Sequence, residues 1–207
     1  MNNYLRYVMK VFVPYKYMIK ALYLSLFLLI TNCNSTKSVV NVEAMSELET
    51  VLNTRNYRVD IRAVFPFNTA ATQQVINNVL TNRVGNTTSR IDVVGDGFFM
   101  AFNDSIAKAY LPYYGEQQLI GGRYGGNDMG VEFNATPQKY NISKHKRKDA
   151  YVIKFEVKDE EDRQESYKIT MTVFPNYNTE ILVLSSHRTA NNYRGILKPY
   201  ETGETAL

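Results

Sequence analysis

Three side chains in this sequence belong to types that commonly perform chemistry: one cysteine and two histidines. Cys33 is the only cysteine, and the histidines are His145 and His187. The two histidines lie too far apart for metal-ligand spacing, and lysines surround His145, which opposes cation binding. We therefore predict neither a metal site nor a cofactor.

The carboxylates do not indicate a catalytic site either. Asp92, Asp96 and Asp104 bracket turn sequences, where aspartate is favoured because it hydrogen-bonds the nearby backbone. Their spacing is not that of a calcium-binding loop. No Gly-x-Ser-x-Gly motif is present, and acylation of Cys33 would leave no free cysteine nucleophile. The sequence predicts a protein that is not an enzyme, and a hydrolase with an unrecognised carboxylate pair is kept as an alternative.

The position of Cys33 predicts a lipid attachment site. Lys20 precedes the apolar run Ala21–Ile30, and a short polar junction separates this run from the cysteine. An apolar run shorter than the ~20 residues of a membrane span is typical of a secretory signal. Leu29–Cys33 resembles a bacterial lipobox, in which the thiol receives a diacylglycerol, although Asn32 replaces the usual small residue.

The lipobox divides the chain into four predicted parts. Residues 1–32 form a signal segment, with Met18 as a possible translation start, and residues 33–41 form a lipidated tether. Residues 42–198 form one β-rich domain, and residues 199–207 form a tail. Two acyl chains give stable membrane anchoring. We therefore expect the membrane, reached through this lipid, to be one partner of the protein.

The charge of the chain does not support nucleic-acid binding. The formal net charge is +4, but the excess lies in the predicted signal segment. The remainder is close to neutral, which removes the main attraction for nucleic acid. It is long enough for one domain with a sizeable core, and its stability must come from packing, because no cysteine pair is available. The charged residues of the signal segment are Arg6, Lys10, Lys16 and Lys20.

A dense group of tyrosines is the candidate binding surface. Its members are Tyr110, Tyr113, Tyr114 and Tyr124. Either their rings close one end of the β fold, or they line a ligand mouth or a partner surface, because tyrosine combines apolar area with a polar tip. The neighbouring Gly121–Gly126 is not a phosphate loop, since no Lys-Ser/Thr pair follows it.

The elements that must position these residues are mostly strands. Tyr151–Lys158 and Tyr167–Val173 alternate apolar and polar residues, and Glu180–His187 is a third β-rich run. Alternation predicts strands with one buried face, and short connections predict antiparallel neighbours. The charged connection Asp159–Asp162 is predicted to be exposed. Tyr57–Phe65 is predicted to be a strand with Tyr57, Val59, Ile61, Ala63 and Phe65 on one face.

The rest of the chain completes an all-β fold with one or two peripheral helices. Gly95–Gly97 predicts a hairpin between Ile91–Val94 and Phe98–Phe102. The helices are predicted at Val42–Asn53 and Thr69–Thr81. We expect a curved antiparallel sheet that forms a barrel or a two-layer sandwich. The further predicted strands are Ser105–Leu111, Val131–Phe133, Lys139–Ser143 and Asn192–Leu197.

Several segments together resemble one family, the domain of unknown function family 4251, found in envelope proteins of Gram-negative gut anaerobes. They are Val94–Asp96, Tyr110–Gly115, Val131–Phe133, Tyr151–Val157 and Ser185–Gly195. The resemblance implies an exported, often lipidated, antiparallel β domain without assigned catalytic or ligand residues. In related lipoproteins an acidic run after the cysteine directs display on the cell surface. Asn34–Ser38 contains no acid, which favours an outer-membrane anchor that faces the periplasm.

Three functions are compatible with these observations. The first is a non-enzymatic envelope lipoprotein that binds a small apolar ligand or an envelope partner. The second is a structural or assembly role in the envelope, and the third is the hydrolase. A large apolar cavity near Tyr113 and Tyr124 would favour the first function. A filled interior with an exposed apolar patch would favour the second, and two converging carboxylates would favour the third.

Overall fold

The computed structural model describes residues 19–20, 42–67, 69, 87, 89–116, 130–159 and 165–199. The chain divides into two units, Met1–Val39 and Val40–Leu207. In the first unit only residues 19–20 are described, and they are helical. Most of the predicted signal segment, the tether with Cys33, residues 70–81 of the predicted second helix and residues 200–207 of the tail lie outside the described residues. The other described residues all lie in the second unit.

The helix of this unit, α1, covers Val42–Thr54 and confirms the first predicted helix. Its apolar residues recur at helical spacing, so that Leu48 and Leu52 are buried against the sheet. Tyr151 donates a 2.5 Å hydrogen bond to Oε2 of Glu49 on this helix. Burial and the Glu49 carboxylate raise the pKa of Tyr151 to about 12, so the phenol stays a donor at neutral pH. The helix therefore covers one end of the sheet.

Ten strands form one antiparallel sheet, which confirms the all-β prediction. The order of the strands is β5-β4-β3-β1-β10-β9-β8-β7-β6, and β2 also pairs with β1. The strands are β1 (Asn56–Pro66), β2 (Ile91–Asp92), β3 (Phe99–Asn103), β4 (Ile106–Pro112), β5 (Gly130–Ala135), β6 (Gln138–Lys144), β7 (Tyr151–Lys158), β8 (Ser166–Val173), β9 (Asn178–Ser185) and β10 (Asn191–Pro199).

The connection between β5 and β6 requires the sheet to curl. These two strands are the edges of the sheet, yet only Thr136 and Pro137 join them. Such a short link can be made only where the two edges meet at one corner. Phe133 on β5 lies 6.4 Å from the Phe155 ring on β7 and 6.3 Å from the Tyr167 ring on β8. Of the two predicted arrangements, the sheet therefore adopts the barrel-like one, as a curled half-barrel.

Aromatic side chains fill the concave face of this half-barrel. The Phe102 ring lies 5.1 Å from Tyr57 and 5.2 Å from Phe155, in the range of favourable aromatic contacts. Strands β7 and β8 alternate buried and exposed residues as predicted. Residues from both halves of the sheet thus meet in one core. Its largest fully buried side chains include Tyr57, Tyr167, Tyr193, Phe102 and Phe133.

The hairpin predicted around Gly95–Gly97 is wrong. Strands β2 and β3 do not pair with each other, because both pair with β1 and follow one another along its edge. Between them, the Asp96 N–H donates a 3.2 Å hydrogen bond to the Val93 carbonyl, and Gly95 has a φ of 85°. These values fit a type II turn, whose third residue requires a positive φ. The glycines therefore form a turn, but the two strands that this turn connects do not pair with each other.

The face predicted for β1 is correct as far as Ala63 but not at Phe65. A bulge shifts the pairing with β10 between Ile61 and Ala63, so Val64 is buried while Phe65 is only half-buried. A bulge adds one residue to one strand and reverses the alternation beyond it. Gly195 faces this bulge, where a Cβ would lie 2.8 Å from Val59 Cγ1 and collide with the Asp60 carbonyl oxygen. Glycine is therefore required for the close approach of the two strands.

Candidate functional site

The structure separates the predicted tyrosine group. Tyr110 lies on the outer face of β4, where it is 44% exposed and its ring lies 5.2 Å from the Phe98 ring. Tyr113 and Tyr114 are half-buried and pack against the core after β4 ends. Tyr124 lies outside the described residues. The described tyrosines therefore belong to two different surfaces of the domain.

Tyr113 takes part in the closure of one end of the sheet. Its hydroxyl donates a 2.9 Å hydrogen bond to the Glu116 carbonyl and shares a 2.8 Å hydrogen bond with Oγ1 of Thr189. Nearby, the Tyr193 hydroxyl donates a 3.0 Å hydrogen bond to the Pro112 carbonyl. These bonds connect the end of β4 to the start of β10, on the side of the domain opposite α1.

A buried ion-pair network lies beside Tyr113, and we call it the Arg188 cluster: Arg188, Glu165, Asp159 and Tyr167. Arg188 donates hydrogen bonds from Nη2 to Glu165 Oε2 at 2.6 Å and from Nε to Glu165 Oε1 at 2.9 Å. Its Nη1 donates a 2.6 Å hydrogen bond to the Gly130 carbonyl at the start of β5. One guanidinium therefore links edge strand β5 to the opposite side of the half-barrel. The bidentate geometry is the strongest that arginine makes with a carboxylate.

Burial and charge fix the protonation states of this cluster. The side chains of Arg188 and Glu165 are 16% and 4% exposed. Burial alone would lower the pKa of Arg188, but the Glu165 carboxylate raises it above its ordinary value. Burial and the 2.5 Å hydrogen bond to Asp159 raise the pKa of Tyr167 well above its ordinary value. At neutral pH the guanidinium is charged and the phenol is protonated, so both stay committed to internal hydrogen bonds.

The predicted exposure of Asp159 is wrong. Its side chain is 8% exposed and lies 4.0 Å from Arg188 Nη2. Sequence reasoning also missed Glu165 and Arg188, because they pair across strands and no local spacing indicates it. Asp159 and Glu165 converge on one guanidinium and are nearly closed to solvent, whereas a hydrolytic carboxylate pair needs room for water and substrate. The Arg188 cluster therefore has the geometry of a structural network.

The other candidate residues are mostly involved in turns. His145 Nδ1 accepts hydrogen bonds from the backbone N–H groups of Arg147 and Lys148, at 3.1 and 3.0 Å. Asp92 Oδ1 accepts a 3.1 Å hydrogen bond from the Val94 N–H, which confirms its turn role. Within the described ranges, no three His, Cys, Asp or Glu side chains form a group that could hold a metal ion.

An open groove on the convex face of the sheet is the second candidate site, and we call it the outer groove. It has a volume of about 350 Å³ and lies between the outward side chains of β1 and β10 and the turn that precedes β3. Alternation along a strand places these side chains on the face opposite the core. Its lining includes Arg58, Asp60, Arg62, Ile196, Lys198 and residues 94, 95, 97 and 98.

The outer groove carries an excess of positive charge. Asp60 accepts hydrogen bonds from Arg58 Nε at 2.8 Å and from Lys198 Nζ at 2.7 Å. Partial burial alone would raise the pKa of Asp60, but these bonds from Lys198 and Arg58 lower it below its ordinary value. The Arg62 side chain has no hydrogen bond or ion pair with another described residue. Three cations therefore face one anion that two of them already neutralise.

Apolar groups lie next to these charges. Val94 is 60% exposed at the rim of the outer groove, and Phe98 forms part of its wall. The Phe98 ring contacts Tyr110, so the exposed tyrosine of the predicted binding group adjoins this site. The guanidinium of Arg58 stacks 4.0 Å above the Phe99 ring. The site thus combines cations with apolar surface.

Among the described residues, no helix has the length and apolar character to cross a membrane. A search of curated proteins finds no match to this chain. The family model named Domain of unknown function (DUF4251) matches residues 40–197, which include the helix, strands β1 to β9 and β10 as far as Leu197. The chain therefore belongs to the DUF4251 family.

Proposed function

We propose that this protein is a lipid-anchored, non-enzymatic module of the bacterial cell envelope that binds an envelope partner on its outer surface. The observation that carries the proposal is the contrast between the two faces of the sheet. Aromatic rings fill the concave face, whereas the convex face carries an open groove with charged and apolar walls. Binding on the convex face needs no rearrangement of the core.

The packing of the concave face argues against carriage of an apolar ligand there. β proteins that carry such ligands enclose them where core side chains would otherwise lie. In this domain Phe133, Phe155 and Tyr167 occupy that space, with ring centroids 6.3–6.4 Å apart. Admission of a ligand would have to displace these rings and the contacts they make. We therefore favour the partner alternative over the small-ligand alternative.

The arrangement of the Arg188 cluster supports a non-enzymatic role. Its guanidinium donates through Nε, Nη1 and Nη2 to groups of the protein. Its carboxylates are nearly closed to solvent. A catalytic group needs access to substrate and a proton that it can transfer. The cluster instead stabilises the end of the half-barrel that bears Tyr113.

The lipid anchor gives the first test. Replacement of Cys33 by serine is expected to abolish incorporation of a radiolabelled fatty acid and to move the protein from the membrane to the soluble fraction, because the thiol that accepts the lipid is lost. Fractionation of cells and autoradiography of the purified protein measure both effects. The control is Ser35→Ala in the same predicted tether, which should stay membrane-bound. Membrane retention of the Cys33→Ser protein would contradict the anchor.

The outer surface gives the second test. A photo-crosslinking amino acid placed at Val94 in the full chain, within its own cells, is expected to give one discrete adduct with an envelope protein. Leu184, which is 44% exposed on the outward side of β9, is the matched control position and should not give that adduct. Identical products at both positions, or none at Val94, would argue against a partner site at the outer groove.

A structural or assembly role is the second candidate. The filled interior and the exposed Val94 and Tyr110 favour it, because an exposed apolar patch is typical of a contact surface. The same crosslinking experiment separates the two candidates. An adduct with an abundant envelope component at constant ratio supports a structural role, whereas a less abundant partner supports a regulated binding role.

A further inference from the structure

We propose that the outer groove binds an acidic segment of a partner protein in an extended conformation. The proposal rests on the proposed function and deepens it by naming the chemistry of the partner. Charge, spacing and backbone access in the outer groove each support it, and the surrounding surface argues against a membrane as the occupant.

Charge complementarity is the first argument. Arg58, Arg62 and Lys198 line the outer groove together with a single anion, Asp60. Asp60 is already held between Arg58 and Lys198, so the lining keeps a net positive charge. The Arg62 side chain is exposed and forms no ion pair with the described part of the chain. A carboxylate of the partner would supply the anion that this guanidinium lacks.

The spacing of the cations favours an extended chain. Arg58, Asp60 and Arg62 occupy alternate positions of β1 and line one wall. Alternate residues of a strand are separated by about 6.6–6.8 Å, and an extended peptide presents its own alternate side chains at the same interval. Acidic residues four positions apart would therefore face Arg58 and Arg62, and an uncharged residue midway between them would face Asp60. The remaining alternate residues would face Ile196 and Phe98 on the apolar side of the outer groove.

Backbone access is provided by the turn that borders the outer groove. Gly95 and Gly97 have φ values of 85° and 82°, and no atom lies within 4 Å of where their Cβ atoms would be. In the described part of the chain, their N–H groups donate no hydrogen bond to the backbone. Glycines with positive φ let another backbone approach closely, and free N–H groups favour anions. A peptide could therefore hydrogen-bond this turn.

The charges around the outer groove favour a peptide over a membrane as its occupant. Arg194, which lies between Ile196 and Asn192 on β10, is paired with Glu180 at 3.2 Å. The cation next to the outer groove on β10 is therefore already neutralised. Attraction to anionic lipid headgroups needs a broad basic patch that can lie flat on the membrane. The geometry fits a chain that enters the groove better than a surface that covers it.

Fluorescence anisotropy with the detergent-solubilised, full-length protein tests the proposal. The probe is a labelled peptide of about ten residues with valine at every second position and glutamate and serine in turn at the others, so that its glutamates lie four positions apart and it spans the groove at ~3.3 Å per residue. We expect saturable binding that weakens as salt is raised to about 0.5 M. A peptide with lysine in place of glutamate should not bind. Arg62→Glu should weaken binding about tenfold or more, because it reverses the unpaired charge.

The matched control is Lys154→Glu, which makes the same reversal at an exposed position on β7 outside the outer groove. It should leave peptide affinity unchanged, and unchanged thermal melting of both variants would show that they fold. Equal effects of the two reversals, or no saturable binding of the glutamate peptide, would overturn the proposal. So would binding to vesicles of anionic phospholipid that Arg62→Glu abolishes, because it would identify a membrane site. If the Val94 adduct persists without peptide binding, the partner site stands and its acidic chemistry is wrong.

Discussion

Replacement of Arg188 by alanine is expected to lower the free energy of unfolding by about 3–5 kcal/mol, the cost typical of removing one member of a buried ion pair. The substitution leaves Glu165, which is 4% exposed, without the cation that neutralises it. It also removes the hydrogen bond to the Gly130 carbonyl and thereby the link to edge strand β5. Urea denaturation of the purified protein, followed by circular dichroism, measures the change.

Two further variants make this prediction specific. Arg188→Lys keeps the charge but cannot make the bidentate contact, so its cost should lie between those of wild type and alanine. Arg194→Ala removes an ion pair whose side chains are 61% and 43% exposed, and it should cost no more than about 1 kcal/mol. Equal costs for Arg188→Ala and Arg194→Ala would show that the Arg188 cluster does not stabilise the half-barrel.

Replacement of Phe155 by alanine is the second large expected effect, at about 3–5 kcal/mol of unfolding free energy. The Phe155 ring lies 5.2 Å from Phe102, 6.4 Å from Phe133 and 6.2 Å from Tyr140. These rings belong to strands at both ends of the strand order, β3 and β5 at one end and β6 at the other. A cavity at Phe155 would therefore disrupt the contacts that keep the sheet curled. The same denaturation experiment measures the loss.

The control for this prediction is the same substitution at an exposed phenylalanine. Phe67 is 61% exposed just after β1, so Phe67→Ala should change stability by less than about 0.5 kcal/mol. Phe155→Leu should recover part of the loss, because it refills some of the cavity. A Phe155→Ala protein as stable as the Phe67→Ala protein would mean that the concave face is not the packed core described above.

The strands could be predicted from sequence where alternation is regular. Tyr151–Lys158 and Tyr167–Val173 bury every second residue, and the structure confirms both. The prediction of β1 failed beyond Ala63, because a bulge is set by the partner strand and by Gly195 opposite it. The glycines at 95 and 97 correctly indicated a turn. They could not indicate that β1 would pair with both neighbouring strands.

The candidate sites were less accessible to sequence analysis. Tyr110 and Tyr113 were identified by their density, but only the structure assigns them to different surfaces. Asp159 was predicted to be exposed because charged runs are usually solvated. Its burial depends on the ion pair with Arg188. Arg188 lies in the connection between β9 and β10, which is distant from Asp159 in the sequence. The outer groove combines side chains from β1 and β10, so no local motif could have revealed it.

The central position of β1 has a consequence for how the chain acquires its structure. This strand is the first to emerge after α1, yet one of its two main neighbours is β10, the last of the described strands. The sheet cannot be completed until the C-terminal segment has left the ribosome. Closing so long a loop has an entropic cost that must be met before the pairing forms, which slows folding. A chain truncated before Asn191 should therefore remain sensitive to protease.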